Sequence, residues 1–391
     1  MLRSLYSGIS GLQAHQQMLD VTGNNIANVN TAGFKSSSVE FEDTLSQLVS
    51  GATAAGAANG GSNPAQIGLG VKVAGIATNF AQGSSQATGK PTDLMISGDG
   101  FFNVRVGGQS LYTRAGNFDF DATGTLVSAE GGFVQGWTAD ATGNINTNKA
   151  LGNIKLPVDS VVPAAATTAA SFAGNLPSDA AAATVLTRDV PVYDAKGDKS
   201  TVSLTFTSDG AGNWAVNDGT GTIGTLSFAA GVLTTTPPTL TTAGALPIDF
   251  SNVSGFAGLS TIAVSGQDGH SAGTLESYTI GKDGTISGSY SNGVIQAIAR
   301  IAVSTFVNPG GLEKQGGSMY GVTPNSGAQT TGTAGTPGLG SITTGYLEMS
   351  NVDLSQEFTN LIVAQRGFQA NARIITTSDS VLDELVNLKR S

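Results

Sequence analysis

Both ends of the chain carry apolar residues at alternating spacings of three and four, and the long middle does not. From the N-terminus the series runs Leu2, Leu5, Ile9, Leu12, Gln16, Leu19, Gly23 and Ile26. Towards the other end it runs Leu354, Phe358, Leu361, Gln365, Phe368, Ala372, Ile375, Asp379, Leu382 and Val386. Such spacing is the seam of a coiled-coil helix, so it predicts two terminal helices that pair. Each seam is interrupted, by Gln16 and Gly23 in one and by Gln365 and Asp379 in the other. A buried Leu, Ile or Phe contributes about 1.5–3 kcal/mol, so each interruption removes a comparable amount. Glycine costs about a further 1 kcal/mol inside a helix. Ordering backbone costs about 1–2 kcal/mol per residue. Two helices joined only to each other are therefore expected to be weak, and to gain order when further partners arrive. Asn351 or Asp353 is placed to cap the second helix, with Gln356 or Glu357 near its first turn.

The first helix runs into MLDVTGNNIANVNTAGFK, residues 18–35, which packs in Asn24, Asn25, Asn28 and Asn30 together with Gly23 and Gly33. The simple reading is a helix stop, with amide side chains bonding the freed backbone groups and Gly33 left-handed past a turn. The alternative is a polar packing patch against neighbouring subunits.

Between the ends the pattern turns to strands and turns. Residues 50–66 are small and polar and read as a flexible link. FFNVRVGGQSLYTRAG reads as a hairpin around Gly107-Gly108. Asp-x-x-Gly turns recur at 121–124, 140–143 and 194–197 beside short β-branched or alternating runs. Residues 156–275 are rich in Ala and Thr with almost no helical period, and read as a second all-β domain. Strand-and-turn style returns from 276, followed by a Gly/Thr-rich link at 326–341. The fold expected is mainly β with terminal α-helices and nested, discontinuous domains. Residues 1–66 and 340–391 form the terminal helical domain with its links. Residues 67–155 and 276–339 form a discontinuous β domain, and 156–275 an all-β domain inserted in it.

Composition narrows the chemistry. Charged residues are 12% of the chain, about half the usual ~25%, and the formal net charge is −10. That argues against a nucleic-acid groove or an anionic membrane as partner, since both select clustered Lys and Arg. Cysteine is absent, which excludes disulfides and thiolate metal sites. No apolar run reaches the ~18 residues of a membrane span, and no cleavable secretory signal is evident. GHSAG at 269–273 matches Gly-x-Ser-x-Gly with Ser271 as would-be nucleophile. That chemistry needs a helix directly after the serine and a later histidine. The next residues are TLESYTI, more strand than helix, and the one other histidine is His15. Asp119, Asp121, Thr123, Gly124 and Glu130 fall at EF-hand positions, but their flanks are β-like where the motif needs helices. GLGVKVAG at 68–75 misses the dinucleotide-loop spacing. The reading is of no enzyme, with no catalytic, cofactor or metal site.

The terminal motifs carry a resemblance. SGISGLQAHQQMLDVTGNNIANVNTAGFKSSSVEF (7–41) resembles the N-terminal signature of the bacterial flagellar rod, hook and hook-associated axial proteins, and GYLEMSNVDLSQEFTNLIVAQRGFQANARIITTSDSVLDELVNLKR (345–390) their shared C-terminal one. Residues 79–104, 112–137 and 291–323 resemble the β domain of this group, whereas 156–275 match no signature. Length and the single insertion are most similar to hook subunits, with a distal rod protein as the alternative. The resemblance implies a structural subunit exported unfolded through the flagellar type III channel, without a cleaved signal. It implies self-assembly outside the cell into a hollow, curved helical tube that serves as a universal joint between rod and filament. Partners implied are further copies of the chain, the rod and hook–filament junction proteins, the hook cap and the export apparatus. In that scheme Leu5, Ile9, Leu12, Leu19 and Ile26 form one assembly seam and Phe358, Leu361, Phe368, Ile375 and Leu382 the other. Gln16 and Gln365 set register, and Asn24, Asn25, Asn28, Asn30, Thr31 and Gly33 form the junction between inner helix and outer domains.

Overall fold

The computed structural model describes residues 2–54, 60–140, 142–157 and 161–388. Two helices, α1 (Leu2–Ala27) and α2 (Leu354–Leu388), lie side by side and antiparallel, with Gly8 beside Ile375, His15 beside Gly367 and Asn25 bonded to Glu357. α1 runs on through Gly23, Asn24 and Asn25 and ends inside the polar patch, at Ala27, with Gly33 left-handed beyond it. Closure comes at Asn28, whose backbone N–H and side-chain Nδ2 both donate to the Asn24 carbonyl, satisfying a group the helix end would orphan. α2 begins at Asp353, whose Oδ1 accepts from the Ser355 N–H at 2.9 Å and the Gln356 N–H at 3.3 Å, an N-cap.

After α1 the chain forms a two-stranded antiparallel ribbon. Ser37–Asp43 pairs with Val71–Thr78, and Ser46–Ser50 with Ala65–Gly68. The stretch 50–66, expected as a flexible link, thus contributes to a strand, and Thr53 bridges Ser62; residues 55–59 lie outside the described residues. The second expected link is also ordered. Gln329–Thr333 pairs with Ile295–Phe306, and Ser341–Thr344 with Leu94–Ser97. Threonine suits a half-buried strand, and the glycines there serve as turns at Gly335 and Gly338.

One large sheet interleaves two distant parts of the sequence. Its order is Leu275–Ile280, Thr285–Tyr290, Ile295–Phe306, Phe133–Thr138, Phe101–Val106, Gln109–Thr113, Met319–Gly321 and Glu313–Gly316. Its core gathers Leu94, Ile96, Phe102, Val104, Phe118 and Leu126 with Ile286, Ile301, Val303 and Ile342. A second core draws only on residues between 170 and 264. There one sheet holds Ala170–Asn175 between Pro247–Ser254 and Ala263–Gln267, and another is the meander Val185–Tyr193, Lys199–Ser208, Trp214–Asn217, Thr222–Leu226. Phe172, Phe206 and Phe250 meet in its centre with ring centroids 5.3–6.1 Å apart, beside the fully buried Trp214. Phe172→Ala is expected to cost this core about 3–5 kcal/mol. The chain's two tryptophans report separately, Trp137 from the first sheet and Trp214 from the second core. In a urea titration the Trp214 transition should move to lower denaturant while that of Trp137 holds; a joint shift would mean one cooperative unit.

The Asp-led turns are built alike. Asp121 Oδ1 accepts from the Thr123 N–H, the Thr123 hydroxyl and the Thr125 N–H, and Asp140 does the same for Thr142 and Asn144. The calcium-like spacing around Asp121 is therefore a strand, a turn and a strand, Phe118–Phe120 pairing with Leu126–Ser128. Hydrogen bonds from Thr125 and Thr123 hold Asp121 below the usual carboxylate range, and those from Thr142 and Asn144 hold Asp140 there. Asp209, bonded by Asn213 and Ala211, and Asp218, bonded by Ala243 and Thr220, are lowered too. For groups lowered in the folded state, the stability they contribute is present above the unfolded pKa and lost as pH falls through the folded value. Stability should therefore decline below about pH 4, and Asp121→Asn should flatten part of that decline in acid titrations of the urea midpoint.

Candidate assembly interface and its junction

The junction between helices and sheets is a buried polar network. Lys35 and Glu348 are fully buried, with Nζ 2.6 Å from Oε1. Lys35 Nζ also donates to the Ala81 carbonyl at 2.8 Å, and the Gly83 N–H donates to Glu348 Oε1 at 2.9 Å. Arg114 adds its Nη1 to Glu348 Oε2 at 3.4 Å and lies over the Phe101 ring. Burial pulls both cations below their ordinary pKa, against the opposing pull of Glu348. The Gly33 N–H donates to the Glu348 carbonyl at 2.7 Å. Gly33 has φ +67, and a Cβ there would overlap the Ala115 backbone, so only glycine fits. Asn351 accepts from the Ser36 N–H and donates to the Asn79 and Ala81 carbonyls.

Asn25 carries the network into the helices. Its amide exchanges two hydrogen bonds with the Ser37 backbone, at 2.7 and 3.0 Å, as a neighbouring strand would, and donates to Glu357 Oε1 at 2.9 Å. Asn28 bonds Asn24 and Thr31, while Asn24 and Asn30 are exposed. Sequence reasoning missed Lys35, Arg114 and Glu348, and offered Asn351 as a helix cap, a role that Asp353 takes while Asn351 ties the junction. The available signal was a scatter of single charges in a chain otherwise poor in them.

The seam inside one chain differs from the seam read off the apolar pattern. Leu5, Leu12, Leu19 and Ile26 are half-buried along it, as are Leu361, Phe368, Ile375 and Leu382. Between them stand Gly8, His15 and Thr22 on α1, and Glu357, Ala364, Asn371 and Ser378 on α2, none of them exposed. Ile9, Gln16, Phe358 and Gln365, expected in the seam, sit one position round the helix and are exposed. Close approach explains the choice of small residues. A Cβ on Gly11 would come 2.7 Å from Asn371 Oδ1, and one on Gly367 would overlap the His15 ring. With the small residues turned inward, large apolar ones point out. Tyr6 is 69% exposed, Phe358 51%, Ile362 55%, Val363 54% and Leu385 53%, with Ile9, Ile374 and Val381 also exposed. Among the described residues no helix is long and apolar enough to cross a membrane.

Comparison with known proteins matches this layout. A family model described as "Flagella basal body rod protein" matches residues 5–35, "Flagellar hook protein FlgE/F/G D1 domain" matches 95–170, and "Flagellar basal body rod FlgEFG protein C-terminal" matches 343–388. The flagellar hook protein FlgE of Borreliella burgdorferi is 40% identical over 442 residues, with 100% of each chain covered. This chain belongs to the flagellar hook and rod protein family. Its role is that of a structural subunit of the flagellar hook. The rod alternative is less supported: the flagellar basal-body rod protein FlgG of Bacillus subtilis is 36% identical over 391 residues, with 100% of each chain covered. The fold is shared with the crystal structure of a Helicobacter pylori flagellar hook protein, at TM-score 0.51 and 16% identity, covering 68% of this chain and 100% of that one.

Within the family the buried ion network makes a direct test. Glu348→Ala leaves Lys35 and Arg114 buried without a counter-charge, which costs about 3–5 kcal/mol. Thermal unfolding should show that loss, whereas Asp119→Ala, which breaks the exposed and solvent-screened pair with Lys90, should leave the unfolding midpoint close to that of the wild type.

Proposed function

We propose that copies of this chain polymerise through their terminal helices into the hollow, curved tube of the hook, a universal joint between rod and filament. The observation that carries this reading is the outward stripe of Tyr6, Ile9, Phe358, Ile362, Val363, Ile374, Val381 and Leu385 on a helix pair whose inner seam sets small and polar residues among its half-buried leucines and isoleucines. Burying each large apolar side chain contributes up to about 1.5–3 kcal/mol, so neighbours stabilise what one chain leaves open. A surface that meets a different surface on the next copy, with a rotation that does not close into a ring, generates an open helical filament. Ile9 and Phe358 then belong to the seam between subunits, and Leu361, Phe368, Ile375 and Leu382 to the seam within one. Asn24, Asn28, Asn30 and Thr31 extend the junction that Asn25 and Gly33 anchor.

In this reading residues 1–66 and 340–391 form the inner layer, 67–155 and 276–339 the middle one and 156–275 the outer one. The chain is exported unfolded through the type III apparatus without a cleaved signal, and it assembles under the hook cap between rod and junction proteins. It acts as structure and not as a catalyst. Ser271 supports that view, since its Gly-x-Ser-x-Gly segment leads into the strand Leu275–Ile280 and not into a helix.

Electron microscopy of purified protein under assembly conditions tests the proposal. Wild type should give curved hollow tubes, and chains lacking residues 2–30 or 355–391 should give none while keeping the β signal in circular dichroism. Phe358→Glu, which leaves the seam within the chain intact, should block assembly more than Thr123→Glu in an exposed turn. Tubes formed equally by both variants would remove the role given to the outer stripe.

A further inference from the structure

The chain passes between its two cores at 161–165 and again at 270–274, and these passages are bonded to each other. The Val162 N–H donates to the Gly273 carbonyl at 2.9 Å, and the Val162 carbonyl accepts from the Gly273 N–H at 3.2 Å; Ala165 and His270 exchange two bonds of 3.0 Å. The turn at 291–293, between Thr285–Tyr290 and Ile295–Phe306, reaches this neck from the first core. The Ser291 N–H donates to the Thr274 carbonyl at 2.9 Å. Asn292 Nδ2 donates to the Ser271 carbonyl at 2.8 Å and stands 3.3 Å from His270 Nδ1, while its Oδ1 accepts from the Val294 N–H at 3.1 Å. Gly273 makes room for that amide, because a Cβ there would come 2.7 Å from Asn292 Cγ. The amide is a latch across the neck.

Asn292 is followed by Gly293. In an Asn-Gly pair the missing Cβ leaves the glycine nitrogen free to approach the asparagine side-chain carbon. The sequence holds two such pairs, at 59–60 and 292–293; Asn59 lies outside the described residues. We propose that Asn292 is a deamidation site, with His270 as proton donor to the departing nitrogen, and that its conversion releases the neck. In the closed turn the Gly293 N–H donates to the Tyr290 carbonyl at 2.8 Å, so reaction waits on local opening of this exposed turn.

The chemistry balances with water alone. Gly293 N attacks Asn292 Cγ and closes a five-membered imide; the Cγ–Nδ2 bond breaks. The His270 ring passes a proton to Nδ2, which leaves as ammonia, and the ring recovers a proton from the Gly293 nitrogen through water. A second water opens the imide to aspartate or isoaspartate. The product has no N–H for the Ser271 carbonyl and sets a negative charge against it, so the latch becomes a repulsion. This inference stands apart from the assembly reading and holds whether or not the chain polymerises.

Peptide mapping by mass spectrometry, with isoaspartate detection, follows Asn292 in the purified full chain incubated at neutral pH. Conversion should proceed more slowly than in a synthetic peptide of residues 289–296, and several-fold more slowly again in His270→Gln. Opening of the neck would by itself speed conversion, so a slower rate in that variant reads proton transfer; an equal or faster rate overturns the role of His270. Intact Asn292 after the peptide has fully converted overturns the site. For the latch, Asn292→Asp should raise hydrogen exchange at the Val162, Ala165, His270 and Gly273 amides roughly fivefold or more, as loss of about one hydrogen bond implies; unchanged exchange overturns it.

Discussion

The buried pairing of Lys35 and Glu348, with Arg114 on the far carboxylate oxygen, is the constraint on which the arrangement of the chain depends. It draws together the segment leaving α1, the end of the strand Gln109–Thr113 and the segment entering α2. Each charge taken out of water costs several kcal/mol, and the attraction between them offsets this only where the geometry is tight and the remaining hydrogen bonds are made. The Ala81 carbonyl and the Gly83 N–H supply those bonds for Lys35 and Glu348, whereas Arg114 Nε is buried without a partner among the described residues. Replacing such a network adds or removes little, but breaking it by removing one partner leaves a buried charge uncompensated. Both helices therefore leave the β region in a defined direction, and Asn25 holds the end of one against the start of the other through Glu357.

From that fixed start the helices approach closely, and close approach selects small residues. Gly8, Gly11 and Gly367 let Ile375, Asn371 and His15 reach the opposite backbone. The same choice turns Phe358, Ile362 and Val363 outward. A helix pair that spent its largest side chains on its own seam would be more stable alone and would have less to offer neighbours. The division of the apolar residues between an inner and an outer face is the physical link between this structure and a subunit that works in a polymer.

The second core is held differently. It has its own aromatic centre around Phe172, Phe206, Phe250 and Trp214, and its connection to the first passes through a narrow bonded neck. Local turn chemistry builds both regions: an aspartate collects backbone N–H donors, and a glycine comes next where φ is positive, as at Gly124 and Gly143. Such turns need few charges and no long-range partners, which suits a chain so sparing in charged residues.

Local periodicity determined a good deal. The 3,4 spacing at the two ends specified helices that pair, because a side chain's face on a helix follows from its place in sequence. The Asp-x-x-Gly repeats specified turns, because the aspartate bonds its own neighbours, and the absence of helical period between 156 and 275 specified strands. Periodicity did not decide which of two adjacent helix faces turns inward. Apolarity favoured Ile9 and Phe358, whereas close packing placed Gly8 and Glu357 there, and packing against a particular partner is not a property of one helix. Nor did sequence mark 326–341 as strand or Lys35 and Glu348 as partners. A strand in a sheet and a buried ion pair across a span of 313 residues exist only once distant segments have met.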